Sequence, residues 1–541
     1  MTVEVVVTRM PEAKSIRGAS CIAIEPSCLL RYYPAGPGRK ARIRMDDVTS
    51  KPVPGAPVAD SPSTAGAAEL AKETGISQVG ESSHQLKALH GLRFLAAFCI
   101  LYSHACSWLV NFKDTETVLN FSGELVSTYG MPLFFVLSGF VIHYNYSRLF
   151  STMRSRWAIV EFLGARFARI YPLFICFFLV GLAVDEVLQW VYHNKLNLLL
   201  VFAHYLTLTQ SWVYIVLYGD RLVLDGTFGL SWSLSTEFFF YVSYIVLVLH
   251  ITRMRSIAGL LVTAGAMSVL VLTSFVYAAA HRGAIEAFAE RYMNDHLGNS
   301  NHSVYWWFFY YSPYARVFEF ILGCLTAQIY ALFAAHPVSL REARWGRIVL
   351  GAALVFLVAF SFVHVFRLFG PFVGQYVNAV RPNFGVAVGI AALIFCVCRY
   401  RTSAVALLLS TPLMILLGDL SFSIYAVHTW TLRIFQRPSM DFRYGVELEA
   451  AFRIVLGIAL TLVLSTATFR LIEVPARAWL RKVVARRLLR SFGPREANML
   501  AAEQIYSARR EIVVGMIFVA MIGALLAYQF LIVPLFTPYV R

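Results

Sequence analysis

The chain has 541 residues, of which 58% are hydrophobic and 14% are charged, and its formal net charge is +16. Soluble proteins carry about 25% charged residues, so this composition excludes an ordinary soluble domain. Eleven apolar windows are each long enough to cross a bilayer as a helix, near residues 88–110, 126–147, 168–190, 228–249, 257–280, 312–334, 348–366, 384–400, 412–435, 452–472 and 512–534. We therefore predict an all-α polytopic transmembrane bundle of about 10–11 membrane-spanning helices, in which the apolar piece Leu196–Tyr218 is re-entrant or interfacial.

The basic residues are distributed unevenly between the two sides of the predicted bundle. If the N-terminus is cytoplasmic, 21 Lys and Arg residues fall in inside loops and nine in outside loops. This asymmetry follows the positive-inside rule, so the net charge indicates orientation in a membrane rather than binding to a nucleic acid. We expect a multi-pass protein of a cell membrane, the bacterial inner membrane, with a cytoplasmic N-terminus and the lipid bilayer as a partner.

Residues 1–85 differ in composition from the rest of the chain. The stretch from Lys51 to Ser83 is rich in Pro, Ala, Gly and Ser, which is typical of disorder. No secretory signal is recognisable, and a start of translation at Met45 would remove residues 1–44. None of the eight cysteines falls in a proposed outside loop, so we expect no disulfide framework.

The first span carries two ionisable side chains, Arg93 and His104, eleven residues apart. Eleven residues of helix make three turns plus roughly 20° and rise roughly 16 Å, so both side chains leave one face about half a bilayer apart. A charge in the hydrocarbon costs several kcal/mol unless it faces protein or water. The pair therefore indicates a polar path or cavity inside the bundle.

The second and third spans add small and basic residues. Ser138 and Gly139 in the second span are typical of close helix packing. Arg166 and Arg169 share a helix face at the inner end of the third span, before Pro172. They are either a positive-inside anchor or a site for phosphate oxygens, which arginine forks bind well.

Later spans contain further buried polar groups. Glu237 lies several residues inside an apolar run, after Trp232 and Ser233, and an intramembrane carboxylate indicates function by default. Arg316 and Glu319 form an i,i+3 pair that we interpret as structural. The ninth span has a polar seam that includes Ser421, Tyr425 and His428, where a lone histidine is most often a packed core residue.

These motifs, taken in order, resemble the acyltransferase-3 family of integral membrane O-acyltransferases. The resemblance covers roughly Leu86 to Arg481, and it is carried by Arg93-x10-His104, PLFFVLSGF at Pro132–Phe140, Arg166-x2-Arg169-Ile-x-Pro172, WSLSTE at Trp232–Glu237, ARVFEFILG at Ala315–Gly323, LGDLSFSIYAVH at Leu417–His428 and Ile472-Glu473-x-Pro475. Two positions depart from the family pattern. His90 stands where an Asp is often found before Gly-Leu-Arg, and Ala165 replaces the first of two adjacent basic residues.

The resemblance implies transfer of an acyl group, most simply acetyl, from cytoplasmic acyl-CoA to a hydroxyl of a carbohydrate such as an exopolysaccharide or an envelope glycan. Acyl-CoA is then a co-substrate, with no cofactor bound permanently and no metal. His104 is the candidate base, because a free imidazole has a pKa of about 6.5, or else a transient acyl carrier. Arg93 would hold an acyl-CoA phosphate or orient the donor, and Glu237 would orient His104 or bind the acceptor hydroxyl. Arg166 and Arg169 would contact the CoA nucleotide.

Composition, hydropathy and the extent of the resemblance together divide the chain into four parts. Residues 1–85 are a disordered cytoplasmic extension, 86–476 the membrane acyltransferase domain, 477–511 a basic cytoplasmic linker and 512–541 an additional C-terminal transmembrane helix. A transporter or flippase of a glycan or acylated small molecule, without covalent chemistry, is the alternative, although no internal repeat of broken helices supports it. The sequence leaves open the identity of the acceptor, the acyl chain, the membrane side of transfer and the oligomeric state.

Overall fold

A computed structural model of the chain describes residues 86–109, 118–152, 156–184, 195–217, 221–225, 230–293, 295, 302–365, 370–436, 446–484 and 508–532. The helices in chain order are α1 (Ala88–Leu109), α2 (Val118–Ser127), α3 (Gly130–Thr152), α4 (Arg156–Val184), α5 (Lys195–Thr207), α6 (Ser231–Ile251), α7 (Ile257–Ala280), α8 (Arg282–Met293), α9 (Pro313–Ala334), α10 (Leu340–Val365), α11 (Gly370–Val380), α12 (Ala387–Arg399), α13 (Ala404–Leu409), α14 (Pro412–Asp419), α15 (Ser421–Phe435), α16 (Val446–Thr468) and α17 (Ala508–Ala527). Helical turns at Val304–Trp306 and Trp307–Tyr311 lead into α9. Two-residue strands, β1 (Val216–Leu217) and β2 (Arg221–Leu222), pair antiparallel between α5 and α6.

Among the described residues, eight helices are long and apolar enough to cross a membrane, or up to ten if each of two bent pairs is one span. The bent pairs are Phe372–Val380 with Phe384–Arg399, at 85°, and Pro412–Asp419 with Ser421–Phe435, at 64°. The prediction of an all-α polytopic bundle is confirmed. The piece Leu196–Tyr218 forms the short helix α5 and β1 rather than a span.

The crossing of α3 and α9 depends on two glycines. A Cβ atom on Gly139 would lie 2.0 Å from the carbonyl oxygen of Phe320, and one on Gly323 would lie 2.0 Å from that of Val136. Both distances are far below van der Waals contact, so the two backbones approach as closely as they do because neither position carries a side chain. This close approach fixes the position of Ser138 on α3.

Helix α1 is held in the same way against α13 and α14. A Cβ atom on Gly91 would lie 2.3 Å from the carbonyl oxygen of Leu409, and one on Gly418 would lie 2.1 Å from that of His90. The Nδ1 atom of His90 also lies 2.8 Å from a carboxylate oxygen of Asp419. Residue 90, a departure from the family pattern, therefore takes part in anchoring α1.

The last described helical segment is joined to the bundle by the side chain of Gln529, which forms two hydrogen bonds with the backbone of Tyr214. The Oε1 atom of Gln529 accepts a hydrogen bond from the buried N–H of Tyr214 at 2.6 Å, and its Nε2 donates to the carbonyl of the same residue at 2.9 Å.

Residues 1–85 and 485–507 lie outside the described residues, so the predictions of an extension and of most of the linker are not addressed by the structure.

Candidate active site

Two cavities lie along helix α1, one beside its first half and one beside its second half, and they share part of their lining. The first, here called the Arg cavity, is narrow, with a volume of about 90 Å³, and lies beside Arg93 near the start of α1. The second, here called the His cavity, has a volume of about 780 Å³ and lies beside His104 near the end of α1. Met131 and Tyr425 line both, so these two side chains form the boundary between the cavities.

The Arg cavity contains more positive than negative side chains. Arg93, Arg166 and Arg169 line it together with a single carboxylate, Glu237. Arg166 is buried, donates to the hydroxyl of Tyr146 at 2.7 Å and leaves its Nε without a partner among the described residues. Like charges gathered in a poorly hydrated site repel one another, so this cavity is suited to an anionic ligand.

Glu237 is held by two hydroxyl groups from within the bundle. Its Oε1 atom accepts hydrogen bonds from Tyr241, one helical turn later on α6, at 2.6 Å and from Ser138 on α3 at 3.1 Å. Two hydrogen bonds to one carboxylate oxygen restrict the orientation of the side chain. The close crossing of α3 and α9 thus helps to set the position of this carboxylate.

In the His cavity, the imidazole of His104 contacts a second histidine. Its Nδ1 lies 3.0 Å from Nε2 of His428 on α15, whose own Nδ1 lies 2.7 Å from the backbone carbonyl of Tyr425. His428 is fully buried, whereas His104 is partly exposed. The ring of Trp108, one turn after His104, stacks on it with ring centroids 5.0 Å apart. The imidazole is therefore fixed in orientation by two neighbours.

The rest of the His cavity combines aromatic rings with polar groups that have no partner. The Oγ1 of Thr429, the Nε1 of Trp430 and the Nε of Arg381 are buried and unpartnered among the described residues. Glu124 adds a carboxylate to the same wall. Buried polar groups are normally hydrogen-bonded, so three unpartnered groups beside one cavity are unusual for the interior of a bundle.

The boundary between the cavities is fixed by hydrogen bonds and by a buried cation. The hydroxyl of Tyr425 lies 2.7 Å from Oγ of Ser233 and donates to the carbonyl of Leu230 at 3.0 Å. Trp232 lies beside Arg316, whose guanidinium is 5.8 Å from the centre of its ring and also forms a fully buried ion pair with Glu319 at 3.1 Å. The interpretation of that ion pair as structural fits this position.

The structure places every candidate catalytic or binding residue on one of the cavities or against a residue that lines one. On the Arg cavity are Arg93, Ser138, Arg166, Arg169, Ser233, Glu237, Ser421 and Tyr425; on the His cavity are His104, Trp232 and Tyr425; His428 contacts His104. Glu237 and His104 line different cavities, and the hydrogen-bond partner of His104 is His428.

Several site residues were missed by the sequence analysis. Trp108 and Tyr241 each follow a predicted residue by four positions, a helical spacing that could have identified them. Arg381 and Glu124 come from distant segments, and nothing in their local sequence connects them with His104. No group of His, Cys, Asp and Glu in the described residues has the arrangement of a metal site.

Residues 86–470 match the profile of a family described as an acyltransferase domain. The chain is similar to "Acyltransferase MdmB" of Streptomyces mycarofaciens, with 26% identity over 368 residues, which cover 64% of this chain and 79% of that protein. It is also similar to "Nodulation protein 10" of Rhizobium leguminosarum bv. viciae, with 28% identity over 188 residues, 32% of this chain and 47% of that protein. No solved structure matches the chain significantly.

Proposed function

The chain belongs to the acyltransferase-3 family of membrane acyltransferases, and on that basis we propose that it transfers an acyl group, most simply acetyl, from cytoplasmic acyl-CoA to a hydroxyl of a carbohydrate. The observation that carries this proposal is the contact between the two cavities. One is suited to an anionic donor, the other holds a histidine base, and they meet at Met131 and Tyr425.

The Arg cavity has properties that suit the donor. Its three guanidinium groups can bind phosphate oxygens at the mouth and polarise the thioester carbonyl further in. Glu237 can accept a hydrogen bond from an amide N–H of the pantetheine arm. A pantetheine arm is on the order of 15–20 Å long, comparable to the rise of roughly 16 Å between Arg93 and His104.

The His cavity has properties that suit a sugar. Its volume of about 780 Å³ lies within the usual range for ligand sites. Its wall offers the rings of Trp108 and Trp430 for stacking and the unpartnered groups of Thr429 and Arg381 for hydroxyl groups. A base is needed at the same place, because an alcohol is a weak nucleophile until its proton is removed.

The proposed reaction is direct transfer assisted by His104. The imidazole takes the proton of the acceptor hydroxyl, the oxygen forms a bond to the thioester carbon, and the carbon–sulfur bond breaks. The proton then passes from the imidazole to the departing thiolate, so that coenzyme A leaves as a thiol. A route through an acylated His104 has the same overall balance, with the acyl group resting on the imidazole between the two steps.

A transport function is the second candidate, because transporters also bind their substrates among polar groups and broken helices inside a membrane bundle, and two bent helix pairs occur among the described residues. The two functions differ in what His104 does. In a transporter its replacement changes the movement of a substrate without changing any ester. In an acyltransferase its replacement removes the ester.

The test uses membranes from cells that lack the native gene and carry one of three proteins at matched levels. These are the wild type, His104→Ala and His336→Ala, the last being an exposed histidine outside both cavities. The membranes receive acetyl-CoA labelled in the acetyl group, and alkali-labile label is counted in the glycan fraction. We expect the wild type and His336→Ala to label equally and His104→Ala to lose at least 10²-fold, roughly what general base catalysis contributes.

Two results would contradict the proposal. If membranes with His104→Ala label the glycan as well as the wild type does, His104 is neither the base nor the acyl carrier of the reaction. Absence of label with the wild type, together with unchanged glycan esters in cells that lack the gene, would exclude carbohydrate acylation, and transport would then be the better interpretation.

A further inference from the structure

His428 is a fully buried side chain with both ring nitrogens in hydrogen bonds. Its Nδ1 faces the backbone carbonyl of Tyr425 at 2.7 Å, and its Nε2 faces Nδ1 of His104 at 3.0 Å. The sequence made His428 a candidate site residue, at a position where a lone histidine is most often a packed core residue. Its position between a carbonyl and the candidate base allows a more specific inference.

The hydrogen-bond network determines where the protons lie. A carbonyl oxygen can only accept, so Nδ1 of His428 carries a hydrogen. Both nitrogens of His428 meet neutral groups and its side chain is fully buried, so a second proton, which would make the ring a cation, is costly. Nε2 of His428 is therefore an acceptor, and the hydrogen shared between the two histidines belongs to Nδ1 of His104.

This order leaves the lone pair of His104 on Nε2, the nitrogen that does not contact His428. We propose that His428 is a positioning residue that holds His104 in the tautomer whose Nε2 acts as the base. This inference rests on the proposed acyl transfer and adds to it which nitrogen reacts and what fixes it. The hydrogen bonds run from His104 to His428 and from His428 to the backbone carbonyl of Tyr425. This carbonyl neither gains nor loses a proton, so it keeps His428 in one tautomer.

The residues around His428 hold its two hydrogen bonds in place. The carbonyl it contacts belongs to Tyr425, three residues earlier on α15, whose hydroxyl is held by Ser233 and Leu230. On the other side, the stacked ring of Trp108 limits rotation of the His104 imidazole. When Nε2 takes the acceptor proton, the N–H at Nδ1 of His104 stays donated to His428, so the base does not have to turn during the reaction.

The test compares two amides at position 428. Glutamine has the reach of an imidazole Nε2, so His428→Gln still offers an acceptor to His104. Asparagine has the reach of Nδ1, so His428→Asn can keep the bond to the Tyr425 carbonyl but falls short of His104. The two variants are matched in polarity and differ in whether they reach His104. His428→Leu removes the contact with His104 and the contact with the Tyr425 carbonyl.

We expect kcat for acetyl transfer to fall less than tenfold in His428→Gln and on the order of 10²–10⁴-fold in His428→Asn and His428→Leu, with KM values unchanged. A wrong tautomer has an effect of that size in a serine protease triad. Equal activity of the glutamine and asparagine variants would overturn the inference, as would full activity of His428→Leu. A merely structural role would instead make the three variants follow their stability.

A second readout does not depend on activity. In protein labelled with ¹⁵N-histidine, the ring signals that disappear in His104→Gln report the protonation of each nitrogen of His104. We expect a protonated Nδ1 and an unprotonated Nε2 in the wild type, and loss of this preference in His428→Leu. The opposite tautomer in the wild type would refute the inference. If the tautomer is as expected but no acyl group is transferred, the proposed function fails while the positioning contact stands.

Discussion

Replacing Gly323 by alanine tests whether the close crossing of α3 and α9 sets the geometry of the bundle. The added Cβ would lie 2.0 Å from the carbonyl oxygen of Val136, whereas ordinary contact begins at 3.4 Å. The three nearest atoms all belong to the backbone of α3, so no side chain can turn away and the helices have to move apart. Overpacking of this kind costs about 1–3 kcal/mol of the free energy of unfolding.

The matched control is Gly351→Ala on α10, where a Cβ atom would meet nothing within 4 Å. There alanine gains up to about 1 kcal/mol of helix propensity over glycine. The two substitutions are chemically identical, so their difference in stability, expected at about 2–4 kcal/mol, isolates the crossing. The assay is thermal unfolding of purified protein in a mild detergent, followed by tryptophan fluorescence.

The same substitution should also reduce acyl transfer, because α3 carries Ser138, which donates to Glu237 at 3.1 Å. Gly139→Ala should behave like Gly323→Ala, and the double variant should cost less than the two added together, since the helices separate once. If Gly323→Ala unfolds at the same temperature as Gly351→Ala, the backbones of α3 and α9 do not approach closely enough to exclude a methyl group, and the crossing does not set the geometry of the bundle.

Three further substitutions test the donor site and the last helix. Arg93→Met should raise the KM for acetyl-CoA roughly 10- to 100-fold and leave the acceptor KM unchanged in steady-state kinetics, because a hydrogen bond to a charged group contributes about 1.5–3 kcal/mol. Tyr241→Phe should lower the rate of transfer about tenfold in the same assay, since Glu237 then keeps one of its two hydroxyl donors. Gln529→Leu should lower the free energy of unfolding by about 2–4 kcal/mol in thermal unfolding, because two buried hydrogen bonds between Gln529 and the backbone of Tyr214 are lost; an unchanged unfolding temperature would mean that the last helix is held by other contacts.

The membrane spans could be predicted from sequence because a bilayer requires every backbone polar group in its core to be satisfied within the protein. The bends could not. The window 412–435 was taken as one span, whereas Pro412–Asp419 and Ser421–Phe435 meet at 64°. Hydropathy averages over a window and does not sense direction. The bend also involves a contact between Asp419 and His90, which are 329 residues apart in the chain.

The candidate site divides in the same way between local and distant information. Helical periodicity relates His104 to Trp108 and Glu237 to Tyr241, because residues four apart share a face. It contains no information on the hydrogen bond between His104 and His428, which are 324 residues apart. The sequence therefore identified the polar residues of the site but assigned Glu237, rather than His428, as the possible partner of His104.

The arrangement explains why the spacing of Arg93 and His104 is more informative than either residue alone. A buried arginine or histidine is costly in a membrane wherever it stands, and each could satisfy itself in isolation. On one rigid helix, however, eleven residues fix their separation at roughly 16 Å, without any dependence on loops. One residue reaches the Arg cavity and the other the His cavity, while Tyr425 borders both. The pitch of a single helix thus sets the distance between a site for an anionic donor and a base for its acceptor.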